Sequence, residues 1–162
     1  MAQDILTEVR KAYRLLFDYQ TKLLALVKYI GGKYGYNYNG GYPKFSNNQP
    51  RQGSGNLDNW AWDWLTLYFH EFHFGSKKID DNTKMYFSLF ILNDDGYFLA
   101  CQKEQQNVGR VNPNKFEKPE NSNSKIIFVV GLNSWIGKAY FAENNWSNQR
   151  FTLEEKGIHE DE

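Results

Sequence analysis

One cysteine, four prolines, three histidines and no surplus of either charge: the 162-residue chain is defined first by what it has little of. A lone Cys101 excludes an intrachain disulfide and fits a reducing compartment. Lysine plus arginine equals aspartate plus glutamate at 19 each, so the formal charge is zero. Sequence-independent duplex binding draws on many phosphate contacts from a basic patch, and nucleic acid is therefore not the expected partner. No apolar run approaches the roughly 18–20 residues of a membrane span, and the opening MAQDILTEVRK has acidic residues and no apolar signal core. These features predict a cytoplasmic protein that engages no membrane.

Signatures of chemistry are equally scarce. GGKYGYNYNGG has the glycines of a phosphate loop but neither the lysine–serine step nor a preceding strand. There is no G-x-S-x-G elbow, and no cysteine–histidine spacing of the structural-zinc kind. The only E-x-K tripeptide, Glu154-Glu155-Lys156, sits beside a charged tail, which argues against a carboxylate nuclease. Asp80-Asp81 and Asp94-Asp95 fall in expected turns, where short acids bond their own backbone. No cofactor and no metal is expected.

What the chain does have is aromatic side chains, 5 Trp, 11 Tyr and 12 Phe, or 17% of all residues. Rings of this kind suit pleated surfaces and interfaces. With 41% hydrophobic and 23% charged residues, the rest is ordinary for a folded domain.

The clearest element is the first. Leu6, Val9, Tyr13, Leu16, Gln20, Leu23, Val27 and Ile30 recur in steps of three and four, the spacing of a helical stripe. Ile5, Leu15, Tyr19, Leu24 and Leu26 widen it beyond a two-stranded seam. Asp4 as cap and Gly31-Gly32 as stop predict a helix over residues 4–30, roughly 40 Å long. It either lies across a sheet or overhangs to pair with another subunit, Gln20 then marking the register.

Residues 31–57 are rich in Gly, Asn and Tyr, and read as an ordered loop that faces a ligand or partner. Residues 59–75 read as a strand, with a helix starting near Asp58 as the alternative. KMYFSLFILNDDGYFLAC (84–101) reads as a hairpin turning at Asp95-Gly96. Residues 102–124 read as a surface loop, KIIFVVGL (125–132) as a central strand, and WSNQRFTL (146–153) as a last edge strand. The whole predicts an α+β domain over residues 1–155, a long N-terminal helix packed on an antiparallel sheet of four to six strands, with a flexible acidic tail at 156–162.

His70 and His73 flank Glu71 in YFHEFHFG. On a helix, positions three apart share a face and could chelate; on a strand they point to opposite faces. The strand reading separates the histidines and pairs Glu71 with His73 as a candidate acid–base couple. Candidate binding residues are Trp60, Trp62 and Trp64, which at period two would line three indoles along one strand face, and Tyr34, Tyr36, Tyr38 and Tyr42 in their glycine-rich frame. The alternative is that the tryptophans are core.

The leading expectation is a non-enzymatic binding protein that recognises another macromolecule, a protein by preference, in the manner of an inhibitor, immunity or accessory factor of bacterial or phage origin. A module binding a nucleotide or sugar through an aromatic pocket is the second reading. An enzyme using Glu71 and His73 is the third.

Overall fold

The computed structural model describes residues 5–46 and 61–133. Residues 1–38 and 39–162 form two compact units. The fold is α+β, an N-terminal helix and a four-stranded antiparallel sheet, as the patterning predicts.

The first unit is built on α1, Ile5–Lys33. It runs through the expected glycine stop: Gly31 and Gly32 are inside it. The chain turns instead at Gly35, whose φ of +70° is the left-handed conformation a glycine adopts without Cβ strain. Gly35 N–H donates to the Gly32 carbonyl and Tyr36 N–H to the Gly31 carbonyl, at 2.9 and 2.8 Å, the paired bonds of a Schellman ending. Leu23, Val27 and Gly31, at four-residue spacing, are buried.

The second unit holds the sheet, whose strands are β1 (Gly40–Pro43), β2 (Phe69–Lys78), β3 (Lys84–Leu92) and β4 (Lys125–Leu132), in spatial order 1-2-3-4. A tight turn over 79–83 joins β2 to β3, with Ile79 N–H donating to Thr83 O. The β2–β3 register shifts between His73 and Ser76, where Gly75 sits at a φ of +75°. A bulge of this kind needs a left-handed residue.

Two expectations fail here. Residues 61–63 are helical and Thr66–Tyr68 form a 3₁₀ turn, so the strand begins only at Phe69 and the tryptophans at 62 and 64 are not on it. The 84–101 hairpin is also absent: β3 is followed by helix α2, Gly96–Glu104. Asp94 Oδ1 accepts the Gly96 N–H at 2.8 Å and Leu99 N–H donates to Asp95 O at 3.0 Å, so the Asp-Asp-Gly step opens a helix. Asp95 itself is drawn inward. Its carboxylate accepts the Asn123 N–H at 2.7 Å and pairs with Lys125 at 2.8 Å. Gly96 is required because a Cβ there would meet the Glu117 carbonyl at 2.9 Å.

One sheet face carries Phe69, Phe90 and Leu92, with Ile127 and Val129 beside them. Over it lies an aromatic layer centred on buried Phe45, whose ring meets Tyr68, Trp62 and Tyr97 at 4.6, 4.9 and 5.1 Å. Phe98 and Phe116 complete it. Ring pairs of this geometry add about 0.5–1.5 kcal/mol each beyond their area. The opposite face buries Phe72, Phe87, Leu89 and Ile91. The strand expected at 146–153 and the tail lie outside the described residues.

Candidate functional site

The two residues of the expected acid–base couple do converge, through a third. Glu71 and His73, two apart on β2, face the same side; the β3 register sets Ser88 opposite His73. Ser88 Oγ donates to Glu71 Oε1 at 2.8 Å, and His73 Nδ1 lies 3.0 Å from Ser88 Oγ. A serine has one hydroxyl proton. With that proton on an acceptor-only carboxylate, its oxygen accepts from His73 Nδ1–H, which leaves the lone pair on Nε2. The second Glu71 oxygen pairs with Lys44 Nζ at 2.8 Å. Lys44 follows β1, and its N–H donates to Phe69 O.

The result is a chain, Lys44–Glu71–Ser88–His73, laid across three adjacent strands. Glu71 and Ser88 are 0% exposed, and the Lys44 side chain 3%. Burial lowers the Lys44 ammonium below its ordinary value, against the pull of Glu71. Burial also lowers the His73 imidazole; Glu71 opposes this and Lys44 adds to it. The lowering favours the neutral imidazole, consistent with the tautomer above.

Ser88 is not placed to act as a nucleophile. Its hydroxyl is fully buried, and the carboxylate that accepts its hydrogen bond is already paired with Lys44, so neither an open approach nor a free base is present. The arrangement ties strands together.

His70 projects from the other face, against Phe72 at 4.7 Å. Its Nδ1 lies 3.2 Å from Thr66 O, and burial lowers its pKa to about 4. The histidines are thus separated across the sheet, as strand geometry requires, and the bulge at Gly75 comes too late to reunite them.

The aromatic candidates scatter. Tyr42 lies across from Glu71, its ring 5.6 Å from Lys44 Nζ. Tyr34 and Tyr38 are exposed while Tyr36 between them is buried, because the turn at Gly35 breaks the alternation. Trp62 belongs to the aromatic layer, its indole N–H donating to Arg110 O at 2.6 Å, and Trp64 is exposed. Trp60 lies outside the described residues. Among the described residues, neither Trp62 nor Trp64 stands on a strand face.

Reading the sequence missed Lys44 and Ser88. Ser88 did carry a signal, being the one polar residue inside MYFSLFIL; Lys44, between a proline and a phenylalanine, carried none.

The most open apolar surface of the sheet is on β4. Ile126, Phe128, Val130 and Leu132 alternate along one face and are 43–60% exposed. Their cross-strand neighbours Ile91, Leu89 and Phe87 are buried, so exposure on this face rises sharply from β3 to β4. Among the described residues β4 pairs with β3 alone, although its apolar run suggested a central position.

No helix of the described residues is long and apolar enough to cross a membrane. The chain belongs to the PM0109 family, whose profile matches residues 1–160. No curated protein and no solved structure matches it.

Proposed function

We propose that this PM0109-family chain is a non-enzymatic protein-binding module that takes up an extended segment of its partner along β4. One observation carries the reading: an outer strand with a single described neighbour presents four alternate apolar side chains to solvent. Natural sheets blunt such an edge with charge, proline or a bulge. Residues 126–132 contain none of these. Strand addition would satisfy the outward backbone groups, while pockets between Ile126, Phe128 and Val130 would read alternate partner residues. The titratable chain supports the same reading from the other side, since its members are shut away from any substrate. An inhibitor, immunity or accessory role fits a protein whose working surface is a docking edge.

The experiment captures proteins from host lysate on the wild-type chain and on Val130→Lys, then reconstitutes the complex from purified components. The proposal expects a partner lost with Val130→Lys, and slowed amide exchange along 126–132 in the complex. A reconstituted partner that leaves those amides unprotected refutes it. So does a thermal shift produced by a nucleotide or glycan with no protein partner, which favours the small-ligand reading.

A further inference from the structure

We infer that α1 assembles with α1 of a second copy of this chain, through the N-terminal part of its apolar stripe. This goes beyond the docking edge on β4 and uses different residues.

The periodicity comes first. Leu6, Val9, Tyr13, Leu16, Gln20, Leu23, Val27 and Ile30 step alternately by three and four, four heptads without a break. A helix that packs only on a globular surface drifts with the 3.6-residue turn; a seam held to 3.5 is the pattern of helices that wind on one another. Gln20 occupies a seam position, where a polar side chain specifies register at a cost in stability.

Exposure divides the stripe. Leu23, Val27 and Gly31 are buried, whereas Ile5, Leu6, Val9, Tyr13 and Phe17, on the same side of the helix, are exposed. Tyr13 and Phe17, one turn apart, are 72% and 69% exposed, and with Ile5, Leu6 and Val9 they make a contiguous apolar patch of the kind that marks an interaction surface. An aromatic side chain can bury about 150–250 Å². Those two rings with Ile5, Leu6 and Val9 thus offer on the order of 500–700 Å², close to the roughly 800 Å² that each partner gives to a stable interface.

The flanks say what shape the assembly takes. In a two-stranded seam the positions beside it are charged, but here Ile5, Phe17, Tyr19, Leu24 and Leu26 stand there. Such a wide apolar face fits a helix bundle, built from two or more copies.

Sedimentation and light scattering of the purified chain, from micromolar to sub-millimolar concentration, test this. The wild type should show a mass that is a multiple of 19.1 kDa. Val9→Glu with Tyr13→Lys should return it to a single-chain mass with its thermal unfolding otherwise preserved. Tyr13→Lys alone, at a solvent-facing position, gives the same comparison if the double variant does not fold. Val130→Lys, which disables the proposed docking edge, should leave the mass unchanged. A wild type that stays at single-chain mass throughout overturns the inference, and so does an assembly that survives both helix variants or dissociates with Val130→Lys.

Discussion

Replacing Lys44 with Met should cost about 3–5 kcal/mol, because it strands the Glu71 carboxylate in the interior with only the Ser88 hydroxyl as donor. Glu71→Gln should cost a similar amount by leaving the ammonium without its counter-charge. The double variant should cost far less than the two together. With both charges gone, the glutamine oxygen still accepts from Ser88, and methionine fills the space of the lysine stem. We expect about 0–2 kcal/mol for the double change, a coupling of at least about 4 kcal/mol. Urea denaturation read by far-ultraviolet dichroism and tryptophan emission supplies all four corners of the cycle, provided the two probes coincide. An ion pair at the surface gives a different result, about 0–1 kcal/mol of coupling and cheap single changes. Observing that pattern would refute the claim that the pair is sealed from water.

Three further outcomes follow from the same geometry. The pKa of His70, lowered to about 4 from 6.5, means the unfolded chain binds more protons between those values. Stability is then complete above pH 6.5 and falls as pH drops toward 4, by up to about 3 kcal/mol from this group; His70→Gln should flatten the fall in acid-denaturation curves. The lowered His73 acts in the same direction. Asp95→Ala, which removes the acceptor for Asn123 N–H and the partner of Lys125, should lower stability by about 3 kcal/mol in urea titrations, and Asp95→Asn by less. Phe45→Ala should empty the centre of the aromatic layer and cost about 3–5 kcal/mol by the same assay.

Long-period features of this fold can be read from the sequence, and short ones only where two structures do not share a signal. α1 is legible because its stripe, from Leu6 to Ile30, continues for about seven turns. β4 is legible, over residues 125–132 as observed, because Val and Ile crowd a run too short for a helix. Its place in the sheet was not, since an apolar run suits a covered strand and an edge with a solvent-facing stripe alike. The Asp-Asp-Gly step serves equally as a hairpin turn and as a helix start, and YFLAC has apolar residues on both parities. Tertiary packing decided for the helix: Lys125 and Asn123 hold Asp95, and Tyr97 and Phe98 enter the ring cluster. The indoles at period two misled for the same reason, because Trp62 answers to Phe45 and Phe116 and not to its neighbours in sequence. For the polar chain, Glu71 and His73 could be paired on parity alone. The link between them needed the β2–β3 register, which no local pattern encodes.

The β1–β2 register bears on why a charge pair occupies the interior at all, when apolar residues of like volume are often as stable or more so. β1 is only GGYP: two glycines that bring no side chain, and a proline that cannot donate to the ladder. Strands of this composition slip, because a one-residue shift costs them little packing. Lys44 supplies what β1 lacks. Its ammonium reaches the Glu71 carboxylate only when Tyr42 stands opposite Glu71 and Pro43 opposite His70; a slip by one residue turns the lysine to the other face. The Lys44→Met, Glu71→Gln double variant should therefore keep most of its stability yet lose the fixed register of β1. Amide exchange at Asn39 and Lys44, whose N–H groups bond the His73 and Phe69 carbonyls, should quicken in that variant while β3 amides stay protected. Unchanged protection at both positions would show that Tyr42 and the ladder suffice, and that the buried pair has no part in setting the strand.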